Sequence, residues 1–179
     1  LGGLNEKINM KTLVIHPKDS TTDFLSVIYS DKDWTVINSN TSKKILKEQI
    51  KTHDRIVMLG HGTEKGLIGF DRLVIDSTWV YLLREKICVC IWCNADVFVE
   101  KYGLKGFYTG MIISEYEEAI MCCVHTNSFW ISESNTDFAL AIKNSIDAEN
   151  MLEKAKLLYE GNTSVVEFNR NNLYYEALS

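Results

Sequence analysis

Short apolar runs alternate along the chain with stretches whose apolar residues recur at helical spacing. The runs over residues 11–16, 34–38, 55–59, 87–92 and 107–113 are rich in β-branched and aromatic residues and predict five strands. Pro17, the only proline, closes the first of them, because it has no N–H to give a ladder. Gly110 falls inside the fifth, where a glycine marks a bulge or a close approach of another group.

Between these runs the periodicity changes. Phe24, Leu25, Ile28 and Tyr29 predict a short helix over 23–29. Thr41 or Ser42 can cap a helix over 43–52, with Ile45, Leu46 and Ile50 as its apolar stripe and Lys43, Lys44, Lys47 and Lys51 on its wet faces. Residues 67–70 and 72–75 predict a small hairpin, and Asp76 or Ser77 caps a helix through Glu85. Another helix is expected from Asn94 to about Tyr102, stopped by Gly103. Ser114-Glu-Tyr-Glu117 has capping-box spacing and opens a helix to about Val124.

The last third reads differently. Residues 126–135 are polar and predict a loop that carries Phe129 and Trp130 as anchors. Residues 137–160 are strongly helical, with a break near Asp147 and an end at Gly161. The tail, 162–179, holds Val165, Val166, Phe168, Leu173, Tyr174 and Tyr175, and should dock on the body.

Strands that alternate with helices predict an α/β fold. The expected form is a three-layer αβα sandwich with a mainly parallel sheet of five or six strands. Right-handed crossovers favour the order 2-1-3-4-5. The 179 residues suit one domain, read as 11–179, with Met10-Lys11 marking residues 1–10 as a candidate N-terminal extension. The formal net charge of −5 argues against a nucleic-acid partner. No apolar run approaches the roughly 18 residues of a membrane span, and no basic-then-apolar leader is visible.

Cys88, Cys90, Cys93, Cys122 and Cys123 are odd in number, and three crowd one strand. That is no disulfide framework, and it points to a reducing, cytoplasmic setting. A metal site at Cys88, Cys90 and Cys93 is the competing reading. Cysteines in a central strand more often act as small hydrophobes, so no metal or cofactor is expected. Gly62, Gly66 and Gly69 lack the spacing of a phosphate-binding loop.

The third and fourth strands end in His61 and Cys93. In an open α/β sheet, ligands bind outside the carboxyl ends of the strands. A nearby imidazole can take the proton of a thiol that attacks a carbonyl. The helix expected at Asn94 would favour a thiolate at Cys93. Gly62 lets a backbone approach a ligand, and the N–H groups of Gly62 and Cys93 are candidate oxyanion donors.

Leu59-Gly60-His61-Gly62 followed by Ile91-Trp92-Cys93 resembles the clan of cysteine peptidases that includes caspases, gingipains, clostripain, legumain, separase and the CHAT domains. The resemblance covers roughly residues 11–115. It implies a caspase-like domain in which a His61–Cys93 dyad cleaves a peptide or protein substrate through a thioacyl-enzyme. Clan members with acidic pockets imply Glu115 and Asp96, with Glu117 beside them, as candidate contacts for a basic side chain. Each of these carboxylates has an ordinary role as a helix-terminal or solvated group. Many members carry an acidic and a small residue before the cysteine, where this chain has Ile91 and Trp92, and caspases follow it with Arg-Gly, where this chain has Asn94-Ala95. The alternative is a non-catalytic caspase-like module for binding or regulation, its cleft filled by Trp92 or by the Phe129–Trp130 segment.

Overall fold

The computed structural model describes residues 10–178, so most of the candidate extension lies outside the described residues. In chain order, β1 (Thr12–Ile15) leads through a 3₁₀ helix (Asp23–Ile28) to β2 (Thr35–Ile37). Helix α1 (Lys43–Thr52) precedes β3 (Arg55–Leu59), with Ser42 as its N-cap. Three short strands follow: β4 (His61–Thr63), β5 (Gly66–Gly69) and β6 (Arg72–Ile75). A 3₁₀ turn (Ser77–Trp79) runs into α2 (Val80–Leu83), then β7 (Ile87–Ile91), α3 (Ala95–Tyr102) and β8 (Lys105–Thr109). The chain ends in α4 (Tyr116–Met121), α5 (Ser128–Ser145), α6 (Met151–Leu158), α7 (Ser164–Arg170) and β9 (Leu173–Glu176).

The main sheet has six strands in the order β2-β1-β3-β7-β8-β9. The first five are parallel, and β9 pairs antiparallel with β8. This is the expected α/β arrangement, with the five predicted strands in the predicted order and the docked tail as a sixth.

The side-chain alternation of each strand serves two cores. Leu13, Ile15, Ile56, Met58, Cys88, Cys90 and Tyr108 face one layer, built with Leu46, Ile50, Val80, Leu83, Phe98 and Val99. Val14, Val57, Leu59, Val89, Ile91 and Phe107 face the other, built with Leu25, Ile28, Phe138, Ala141, Ile142, Met151 and Ala155. Cys88 and Cys90 are thus core residues on one face.

Several expectations are corrected. Residues 126–135 are no loop: Asn127 caps α5 by accepting from the Trp130 N–H, and the polar residues of that stretch lie on a long helix. Their apolar periodicity is diluted by serines, which hid the helix. The fifth strand stops at Thr109, and Gly110 lies just past it, where its N–H meets the Asn172 carbonyl at 2.9 Å. His61 does not end the third strand but is the first residue of β4, in a three-stranded antiparallel sheet that extends the predicted hairpin. The helix after Asp76 is short and begins as 3₁₀, and the one predicted over 114–124 is confined to α4.

One polar anchor ties the tail to the loop that follows β8. Asn169 is 1% exposed. Its Oδ1 accepts from the Ile113 N–H at 2.8 Å, and its Nδ2 donates to the Ile113 carbonyl at 2.9 Å. It therefore stands in for a strand partner to the loop after β8. Asn169→Ala orphans both buried backbone groups, and should lower stability by about 3 kcal/mol, read by urea denaturation. A loss within experimental error of zero would show that the loop is held by other contacts.

Candidate functional site

The register of β3 and β7 runs from Arg55↔Ile87 to Leu59↔Ile91. His61 and Cys93 each lie two residues beyond the last pair. Parallel neighbours are about 4.8 Å apart, so the two residues leave the sheet level with each other. The Gly60 N–H still bonds to the Ile91 carbonyl at 3.1 Å, which holds the two chains together past the strand ends. Gly60 has φ +146°, a conformation that side chains resist, and there the backbone turns from β3 into β4. Asn94, with φ 64°, makes the corresponding turn from Cys93 into α3, and its N–H bonds to the Gly110 carbonyl at 3.1 Å.

His61 and Cys93 line one narrow cleft of about 30 Å³, with Thr22, Phe24, Leu25, Ile112, Ser114 and Phe138 among its walls. That space suits a water-sized group. Both side chains are half-buried. The His61 Nε2 lies 2.6 Å from the Thr21 Oγ1 and 3.9 Å from the Asp19 Oδ1.

The thiol has other partners. Cys93 Sγ lies 3.3 Å from the Ile112 carbonyl oxygen and 3.3 Å from Glu118 Oε2, two acceptors that compete for its one proton. The other oxygen of Glu118 accepts from the Ser114 N–H at 3.0 Å, the Ser114 hydroxyl at 2.9 Å and the Glu115 N–H at 3.0 Å. Burial and the Glu118 charge push the Cys93 thiol up to about 12. The expected lowering by a helix N-terminus is therefore corrected: desolvation and a carboxylate outweigh the dipole of an eight-residue helix. At neutral pH Cys93 is a protonated thiol.

The glycine at 62 has a packing reason. A Cβ there would meet the Trp92 ring at 2.1 Å and the Gly66 carbonyl oxygen at 2.6 Å. Trp92 is 1% exposed, and its indole N–H donates to the Thr63 carbonyl at 2.9 Å, so it clamps β4 against β7. The Cys93 N–H has no acceptor among the described residues and remains available as a donor.

None of the three carboxylates expected to meet a basic side chain lines the cleft. Glu115 is the N-cap of α4. Asp96 lies beside Gly110, past the end of β8, with its Oδ1 buried and unpartnered among the described residues. Glu117 is exposed. Trp92 packs beneath β4 and contributes to the cleft wall, whereas Phe129 and Trp130 are exposed and do not line it.

Asp19, Thr21 and Glu118 escaped the sequence reading. Ser114-x-x-Glu117 drew attention one residue early: the box closes on Glu118, whose carboxylate takes the Glu115 N–H. The Asp19-Ser-Thr21 spacing of an Asx turn was the only local signal for the other two. No group of His, Cys, Asp or Glu among the described residues is arranged to hold a metal ion. Among those residues no helix is long and apolar enough to cross a membrane. No family model, curated protein or solved structure matches this chain.

Glu118→Gln keeps an oxygen for the Ser114 and Glu115 donors while removing the charge beside the thiol. It should raise the rate of Cys93 alkylation by iodoacetamide near pH 8 roughly tenfold, as a fall of about one pKa unit would. In the wild type, that rate should keep climbing with pH toward about 12. Equal rates in the two proteins would remove Glu118 as a cause. Gly62→Ala should cost roughly 2 kcal/mol or more in a thermal melt, because the rigid indole and a backbone carbonyl both stand in the way.

Proposed function

We propose that the chain is a caspase-like cysteine peptidase domain whose nucleophile is held protonated in its resting state. The observation that carries this reading is the level placement of His61 and Cys93 beyond the paired ends of β3 and β7, on one cleft. In the proposed reaction the Cys93 thiol gives its proton to the His61 imidazole. The sulfur bonds to the substrate carbonyl carbon, and the oxyanion takes hydrogen bonds from backbone donors, with the Cys93 N–H free for the purpose. The C–N bond then breaks as His61 returns the proton to the leaving amine, and water hydrolyses the thioester. The first step requires the thiol to turn away from Ile112 and Glu118, whose oxygens compete for the proton that must move. A reducing, cytoplasmic setting belongs to this reading, because it keeps the thiol free.

A second reading, a non-catalytic module of the same clan, is favoured by the small cleft and by the thiol–carboxylate bond. The two separate on a peptide-library assay. The peptidase reading expects cleavage by the wild type or by Glu118→Gln, abolished by Cys93→Ala and reduced at least about a hundredfold by His61→Ala. It also expects His61→Ala to slow Cys93 alkylation in the Glu118→Gln background. No cleavage by either protein, with alkylation indifferent to His61, would leave the non-catalytic module.

A further inference from the structure

The loop between β1 and the 3₁₀ helix brings a carboxylate and a hydroxyl to the Nε2 edge of His61. Thr21 Oγ1 lies 2.6 Å from Asp19 Oδ1 and 2.6 Å from His61 Nε2. A hydroxyl has one proton and can donate once. Asp19 is held below the usual carboxylate range, chiefly by the Thr21 hydroxyl and N–H, and so is ionised and only accepts. Donation from Thr21 to His61 would leave two oxygen lone pairs facing each other at 2.6 Å. One direction satisfies both contacts: His61 Nε2–H donates to Thr21 Oγ1, and Thr21 Oγ1–H donates to Asp19 Oδ1.

We propose that Thr21 and Asp19 form a relay that orients the His61 ring and keeps its neutral form protonated on Nε2, leaving Nδ1 as the basic nitrogen. Both are positioning residues, since they act through His61. Nδ1 has no hydrogen-bond partner among the described residues, as a base awaiting a proton requires. Once the ring is protonated, Asp19 at 3.9 Å supplies the opposing charge, through a hydroxyl that does not change its protonation.

The relay is built on a fixed loop. The His16 ring contacts the Tyr29 hydroxyl at 2.8 Å and the Thr22 hydroxyl at 3.2 Å. The Lys18 N–H reaches the Asn38 carbonyl at 3.1 Å, the Thr22 N–H the Asp19 carbonyl at 3.1 Å, and the Thr21 N–H the Asp19 Oδ1 at 2.9 Å. Asp19 and Thr21 are exposed, yet the backbone between them is held at both ends.

This inference deepens the peptidase reading and rests on it for its purpose, but its test is independent of turnover. Nitrogen-15 NMR of the imidazoles, with His61 assigned by comparison with His61→Ala, reads the ring proton directly. The wild type should show the neutral ring protonated on Nε2 alone, with a downfield ring-proton resonance protected from water exchange. Thr21→Val, close in shape but without the hydroxyl, should lose that resonance to exchange. Thr21→Ser should restore it, and Asp19→Ala should broaden it. A wild-type ring protonated on Nδ1, or a Thr21→Val variant that keeps the wild-type resonance, overturns the relay. The expected NMR pattern in a protein that cleaves no peptide supports the relay and counts against the peptidase reading.

Discussion

Parallel pairing of β3 with β7 decides where His61 and Cys93 stand. Parallel hydrogen bonds lock two strands in one register, and here the last pair is Leu59 with Ile91. A slip of β3 by one residue would turn its side chains over, moving Met58 to the face now occupied by Leu59. The register is therefore enforced by every buried side chain of both strands. His61 and Cys93 inherit it, because Gly60 and Asn94 turn the chain within three residues of the last pair.

Around that edge, three buried or half-buried polar groups hold the loops. His16 fixes the loop that carries Asp19 and Thr21. Asn169 fixes the loop that carries Ile112 and Ser114. Glu118 closes the start of α4 with one oxygen and the thiol with the other. The two sides have opposite electrostatic effects. On the imidazole side, a carboxylate lies behind a hydroxyl and faces a group that gains positive charge. On the sulfur side, a carboxylate directly faces a group that would gain negative charge, and it suppresses ionisation. In the proposed dyad, the thiol is therefore the silent partner at rest.

Much of this was legible along the chain. The strand ends at His61 and Cys93 were marked by abrupt changes from apolar runs to glycine or turn residues. The α/β class and the strand order followed from alternation and crossover handedness. What failed was local. The first half of the helix over Ser128–Ser145 read as a loop, because its buried positions there are Ile131 and Ser134 rather than a full apolar stripe. The cap before α4 was placed one residue early. Gly62 was read as room for a ligand, whereas the Trp92 indole occupies that space.

The sequence alone determined the sheet, its two apolar faces and the residues at its carboxyl edge, because period-two patterning and strand-end residues are encoded within a few positions of each other. The partners of those residues were decided only by tertiary structure. Thr21 meets His61 across 40 positions, Cys93 meets Glu118 across 25, and Asn169 meets Ile113 across 56. Such contacts depend on how loops from different crossovers converge over one edge, and no local spacing records that convergence. The protonation of Cys93 belongs to the same class, since burial and a distant carboxylate set it rather than the helix that follows in sequence.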